Sequence, residues 1–435
     1  MRTRAHLLAR GALASAGLLV LAPLAGGSTG APAAVHPPDP LTLAWCQERA
    51  GQSNPALAAE AHGAAAARER VRPAGALEDP RFSYEASNLP VGSFDFGSTP
   101  LSGHQLWLRQ KLPFPGLLGQ QSGAARARAD AATFRLNDRN RTLASAVEIA
   151  WSELGFAQRA LVITDRNVAL LRRFARTAEA RYAVGSGLQQ DVLRAQVELT
   201  VLLKEKLTRE AERARAAAEL TALLDLPSAE LPPTAPLHDE AALPALPGLI
   251  EELEATSPRL HARAAEVEAA EKAARAAELR GYPDLDVGLG YRIRQDVVGD
   301  PVDGEDFFSA ALTFRLPVDR SRWRAEVAEQ RALVRRAEAR QRGERAQLTG
   351  ALRVAHAELL RADAEAQLLE TGLVPQAQQS LESSRSGYEV GRIEFLSLLD
   401  SQVRLQRAEL QLVRARADRR AAFAALEAAT GEALR

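Results

Sequence analysis

The chain repeats itself. Asn54-Pro55-Ala56-Leu57 returns as Ser257-Pro258-Arg259-Leu260 at an offset of 203, and Pro80 returns as Pro283 at the same offset. Lys111-Leu112-Pro113 returns as Arg315-Leu316-Pro317 at 204, and Tyr182-Ala183-Val184-Gly185 as Tyr388-Glu389-Val390-Gly391 at 206. Leu193, Gln196, Val197 and Leu199 return as Leu399, Gln402, Val403 and Leu405, also at 206. So small a drift over so long a span means one plan built twice. We place the copies at 34–227 and 245–435, joined by a Pro-rich linker over 228–244, with Pro227, Pro232, Pro233, Pro236, Pro244 and Pro247 in and around it.

Each copy reads as helix, strand, loop, strand, very long helix, tight turn, long helix. The strands fall near 80–88, 104–112, 283–292 and 306–316, and each alternates with period two. Phe82, Tyr84 and Ala86 share one face of the first, and Leu106, Leu108 and Leu112 one face of the second. Leu285, Val287, Leu289 and Tyr291 line up in the third, opposite Asp284, Asp286, Gly288 and Gly290. Phe308, Ala310, Leu312, Phe314 and Leu316 line up in the fourth. A tilted membrane strand needs about 9–11 residues and alternates in this way. A soluble sheet with one face on a core alternates too, so the strand pattern leaves both open.

The helices narrow the choice. Gly116 to Tyr182 contains no proline, and a helix of that length would run about 100 Å at 1.5 Å per residue. The second copy repeats the run from Asp319 to Tyr388, with Pro375 as the expected kink. The returning helices span about 188–226 and 393–430. In the last, Leu396, Leu399, Val403, Leu410 and Val413 form one apolar seam, and Leu398, Leu405 and Leu412 a second beside it. Two seams point to a neighbour on each side, as in a wall of helices, although an ordinary bundle also has broad apolar faces. Arg and Glu recur along all these helices, which keeps them out of lipid. No apolar run after residue 25 reaches the ~18–20 residues of a spanning helix. If the chain crosses a bilayer, the four strands do it. Four strands cannot close a barrel, and an open edge in lipid leaves backbone groups unpaired, so several chains would have to pool their strands.

Composition excludes other classes. Lys+Arg and Asp+Glu total 55 each, so there is no basic excess of the kind a nucleic-acid binder carries. The one cysteine, Cys46, excludes an internal disulfide framework and a Cys-based zinc cluster, and reads as a small apolar helix residue. His62, His104, His238, His261 and His356 show no metal-ligand spacing. The loop holding Asp296, Asp300, Asp303, Glu305 and Asp306 is acidic, and reads as solvated rather than as a cation site. No phosphate-binding glycine loop and no nucleophile–base pair appears, so neither an ATPase nor another enzyme is expected, and no cofactor. Residues 1–33 read as a secretory signal peptide: Arg2, Arg4 and Arg10, then an apolar Gly11–Ala25, then Ala31-Pro32-Ala33. The mature protein is therefore expected outside the cytoplasm.

The duplicated strand-pair and helix-pair plan, with Tyr182-Ala-Val-Gly-Ser-Gly-Leu-Gln-Gln-Asp191 and Gly387-Tyr-Glu-Val-Gly-Arg-Ile-Glu-Phe-Leu-Ser-Leu-Leu-Asp400, resembles the TolC family of outer-membrane efflux proteins. Tyr84-Glu85-Ala86-Ser87-Asn88 and Phe114-Pro115-Gly116 resemble its CzcC and CusC branch, which serves heavy-metal pumps; Leu117-Leu118 stands where that branch often carries Lys-Arg. The resemblance implies a mainly α fold with a small β part: long antiparallel helical hairpins, and four strands per chain given to a transmembrane β-barrel shared by a homotrimer. It implies an outer-membrane location and a helical tunnel through the periplasm. The partners would be a periplasmic membrane-fusion adaptor and an inner-membrane RND-type transporter. Leu285, Val287, Leu289, Phe308, Leu312 and Phe314 would face lipid. Asp191 and Tyr388 would match the family's polar latch, whose second, basic position falls on Ile393. Asp400 and Ser397 would match its constriction, with Asp400 forming a ring of three carboxylates. Gly185, Ser186, Gly187, Gly391 and Arg392 would form the tips that meet the adaptor. An exit duct for protein secretion or drugs, and a periplasmic coiled-coil scaffold outside any membrane, are the competing functions.

Overall fold

A computed structural model describes residues 36–226, 230–236, 245–302 and 304–430. The expected signal peptide, Pro227, Pro244, His238, Asp303 and most of the linker lie outside them. Two short helices, α1 (Leu43–Ser53) and α2 (Pro55–Glu69), and one turn of helix, α3 (Val71–Gly75), lead into β1 (Arg81–Ser87) and β2 (Gly103–Leu112). Then come α4 (Leu117–Ala183) and α5 (Gln189–Leu223). The second half follows the same order: α6 (Leu246–Thr256), α7 (Pro258–Arg280), β3 (Asp284–Ile293), β4 (Phe307–Arg315), a second long helix, and α10 (Phe395–Thr430).

The chain starts and stops these helices by local chemistry. The Asn54 side chain accepts from the N–H groups of Ala56 and Leu57 and opens α2, with Pro55 in its first turn. In Phe114-Pro115-Gly116 the glycine takes φ +88°, a left-handed turn that suits glycine, and so swings β2 into α4. α4 then runs 67 residues without a break. Its counterpart is interrupted: α8 (Arg320–Leu368) passes through a π-helical turn, Leu369–Leu373, into α9 (Val374–Glu389). The expected kink at Pro375 is therefore a widened turn just before it. A proline lacks the N–H of an i→i−4 bond and crowds the carbonyl four residues back, and a π turn relieves both.

Along the lower half, α4 packs on α5 and on α10, and α10 packs in turn on α8 and α9. The helix with two apolar seams thus has a neighbour on each side, and α5 and the α8/α9 helix form the two edges. Nearer the strands, α4 instead meets α2 and α7, and α7 meets α8. Apolar clusters sit at matching levels of the two halves: Leu143, Val147, Trp151, Leu154 and Leu220 in one, Leu249, Leu253, Leu348, Leu352 and Leu426 in the other. Cys46 is buried in the first, and burial pushes its thiol up to about 12. The described part of the linker is pinned on α4 by Gln158, whose Oε1 accepts from the Thr234 N–H at 2.9 Å and whose Nε2 donates to the Pro232 carbonyl at 3.2 Å; beside it the Leu41 carbonyl accepts from Trp151 Nε1 at 3.0 Å and from the Ala235 N–H at 2.9 Å.

The strands form one antiparallel sheet in the order β1-β2-β3-β4. Registers Phe82↔Leu108, Leu108↔Leu289, Leu285↔Phe314 and Val287↔Leu312 gather the apolar residues on one face. Among the described residues no helix is long and apolar enough to cross a membrane.

Candidate functional site

Two regions carry the features that a duct would use: the hairpin tips and the sheet. At the tips, both long helices end the same way. Gly185 (φ +72°) closes α4 and Gly391 (φ +75°) closes α9. The Ser186 N–H bonds back to the Arg181 carbonyl at 2.9 Å, and the Arg392 N–H to the Gly387 carbonyl at 2.8 Å. Each is the six-residue closure that a left-handed glycine allows at a helix C-terminus. Ser186, Gly391 and Arg392 lie exposed, and Gly187 packs close to Arg181 and Tyr182. Val184 and Val390, exposed at equivalent places, make the tips partly apolar.

Tyr388 is 5% exposed, set against Phe395 at 5.4 Å between ring centres. Asp191 stands in the first turn of α5. Within the chain no hydrogen bond joins the two; Asp191 acts on Tyr388 through its charge. Burial raises the Tyr388 phenol above its usual range, Arg181 opposes that rise, and Asp191 adds to it. The group that touches Tyr388 is Arg181, which sequence reading did not single out. Its guanidinium stands 4.7 Å from the ring centre, and its Nη1 donates to the Tyr388 carbonyl at 2.5 Å. Ile393 is half-buried and packs beside Gly387.

Asp400 and Ser397 lie on α10, both exposed. Asp400 is paired: Arg404 Nε donates to its Oδ2 at 2.8 Å. The Ser397 carbonyl accepts from Ser401, which also bonds Ser384. The i, i+4 spacing of Asp400 and Arg404 was a visible signal for the pair.

On the sheet, Phe308 and Leu312 are 69% and 65% exposed, and Leu289 and Phe314 are exposed beside them. Leu285 and Val287 are half-buried. The opposite face carries Arg81, Arg109, Lys111, Asp286 and Arg292, by the strand register. Trp107 is on that polar face as well. It lies over Gly290, where a Cβ would come within 3.0 Å of the ring, and under Arg109 at 4.9 Å. Gly288 and Gly290 are therefore seats for an indole, a role that alternation alone did not show. Two carboxylates of the acidic loop after β3 are used internally: Asp300 pairs with buried Arg294, and Asp306 accepts from Tyr291 at 2.7 Å and from the Arg294 N–H at 3.0 Å. Among the described residues no three His, Cys, Asp or Glu side chains gather to hold a metal ion.

The family model described as outer membrane efflux protein matches this chain twice, over residues 47–225 and 249–432. The chain belongs to that family. As a member of the outer membrane efflux proteins it has a relative in the cobalt-zinc-cadmium resistance protein CzcC of Cupriavidus metallidurans, 28% identical over 277 residues. That match spans 62% of this chain and 62% of the relative, less than two thirds of its length. In fold, the chain is similar to the outer membrane protein VceC of Vibrio cholerae, with a TM-score of 0.75 at 18% identity, covering 90% of this chain and 97% of that one. It is equally similar to CusC, with a TM-score of 0.75 at 17% identity, covering 90% and 92%. These are transport proteins of the TolC type, in keeping with a mostly helical chain and a small four-stranded sheet.

Proposed function

We propose that this outer membrane efflux protein is the exit duct of a tripartite efflux pump. In this reading three copies stand in the outer membrane, conduct cargo passively, and meet a periplasmic adaptor and an RND-type inner-membrane transporter from below. One observation carries it. Among the described residues, the sheet exposes an apolar face with Phe82, Phe308, Leu312 and Phe314 largely uncovered, and it ends on both sides in strands without a further partner, β1 and β4. In lipid those edges require partners, and four strands from each of three chains would close a barrel. Aromatic residues collect at both ends of the strands, as interfacial belts do. Phe114 stacks on Tyr282 at 4.5 Å at the helical end, and Phe96 on His104 at 3.8 Å at the loop end. A scaffold outside the membrane would leave Phe308, Leu312 and Phe314 in water. The tips, with Gly185, Ser186, Gly391 and Arg392 exposed and Gly187 half-buried between them, are the adaptor surface in this scheme, with Asp191 and Tyr388 as a latch above them.

For the cargo we favour heavy-metal cations, the class named for the relative CzcC. A ring of Asp400 carboxylates at the tip would favour cations. Arg404 tempers that charge, but an exposed i, i+4 pair is worth only about 0.3–0.5 kcal/mol, so a passing cation can compete for the carboxylate.

The full chain, expressed and fractionated, is expected in outer membranes as a heat-modifiable trimer that forms ion channels in planar bilayers. A monomer soluble without detergent would end this reading. For the constriction, reversal potentials in a salt gradient are the measurement. Asp400→Ala is expected to lower cation preference and Arg404→Gln to raise it. If neither moves the potential, the pair does not line the path.

A further inference from the structure

The polar face of the sheet has one level at which every charge is positive. Arg81 of β1 lies directly opposite Arg109 of β2, Arg109 opposite Gly288 of β3, and Gly288 opposite Ala311 of β4. The level nearer the helices carries both signs, with Lys111 opposite Asp286. The level beyond Trp107 does too, with Glu85 and Arg292 on either side of Gln105. Like charges directly opposite on one face of a sheet are destabilising, and the chain does little to relieve this pair. Arg109 is exposed and forms no ion pair among the described residues; its guanidinium rests on the Trp107 ring, 4.9 Å from the centre. Glu78 stands 3.7 Å from Arg81, but it is closer to Lys111, at 2.9 Å, and all three are substantially exposed. Gly290 seats the Trp107 ring, and a Cβ at Gly288 would come within 3.5 Å of that ring and 3.4 Å of the Arg109 stem. The two glycines therefore let an indole and an arginine lie flat on the sheet. An aromatic ring holds the guanidinium in place and leaves its charge unneutralised.

We propose that Arg81 and Arg109 form a site for carboxylate- or phosphate-type oxyanions inside the barrel, and that three copies of it make a positive belt around the water-filled path. The proposal rests on the duct reading and adds a second selective level to it. Side chains directly opposite on a sheet have Cβ atoms about 4.5–5.5 Å apart, close enough for two planar guanidinium forks to hold one oxyanion between them. The belt lies at the far end of the long helices from Asp400, so the two levels act in series with opposite signs. A cation that passes the tips leaves past anions held at the belt, and a cation approaching from outside meets a positive level first. Both groups keep their protons across the physiological range, so the belt keeps its charge there.

Two measurements on the full-length protein test it. The first, in detergent, reads the site whether or not a pore forms: quenching of Trp107 emission by iodide and by caesium at constant ionic strength. The share of Trp107 is the difference between each protein and the same protein carrying Trp107→Phe. A unit charge about 5 Å from the ring changes the local concentration of a monovalent ion in water by about two- to fourfold. Arg109→Gln should therefore lower iodide quenching and raise caesium quenching by about that factor, while Arg109→Lys keeps both near wild type. Inorganic phosphate should protect Trp107 from iodide in wild type, and less in Arg109→Lys, which lacks the planar fork. Equal iodide quenching in wild type and Arg109→Gln, or no protection by phosphate, would overturn the site. The second measurement is the reversal potential in a salt gradient across planar bilayers, taken from variants that show the wild-type oligomer band. Arg81→Gln combined with Arg109→Gln should move it towards cation preference. Altered quenching with an unmoved potential, in a protein that conducts, would overturn the belt and leave the duct standing. Altered quenching in a protein that forms no pore would overturn both.

Discussion

Leu312→Arg is expected to abolish stable assembly. Leu312 sits near the middle of β4, opposite Val287 of β3, on the face that carries Phe308 and Phe314. A charge at the bilayer midplane costs about 2–4 kcal/mol per site in a transmembrane barrel, so three copies would cost about 6–12 kcal/mol. That is comparable to the whole stability of a typical domain, about 5–15 kcal/mol. The neighbouring residue gives the control. Thr313 points to the other face, in register with Asp286. Thr313→Arg should therefore assemble normally, because there the charge would meet water in the lumen. Heat-modifiable bands and flotation with outer membranes read both variants. If Leu312→Arg assembles as well as Thr313→Arg, the apolar face is not on lipid.

The same alternation explains what the sequence could and could not show. Period two fixed the strand faces because a strand's two sides differ by a single step, and the registers align Leu108, Leu289 and Ala310 across three strands as expected. It placed Gly288 and Gly290 correctly on the polar side but did not show why they are glycine, since their neighbour Trp107 comes from a strand far away in the sequence. The long helices were legible from the absence of proline, and the one proline inside them gave the place of a distortion but not its π form. Asp400 was read alone although Arg404 stood one turn on. Arg181 was beyond reach for a different reason. Its role depends on where another hairpin places a carbonyl and a ring, and no periodicity reports that.

Glu148→Ala is expected to cause the largest loss of stability among single substitutions in the helices. The seam between α4 and α10 is antiparallel and polar at regular intervals: Ser145 donates to the Ala424 carbonyl, Glu148 meets Arg420, Ser152 donates to the Ala417 carbonyl, and Asn167 meets Gln402. Glu153 continues it by bonding Arg414, whose pKa that contact raises. These rungs fix the register of two long helices along a seam where small residues, such as Ala417 and Ala424 on α10, would tolerate sliding. Glu148 is 1% exposed and meets Arg420 Nε at 2.5 Å, an ion contact with little water near it. Removing one partner of a buried pair strands the other charge and costs about 3–5 kcal/mol, whereas replacing both with apolar groups of similar size is often neutral. Glu148→Ala should therefore lower the melting temperature of the solubilised protein sharply. Glu148→Leu combined with Arg420→Met should recover most of it. If the double variant melts as low as the single one, the loss comes from packing around position 148, and the ion pair is not what sets the register of the wall.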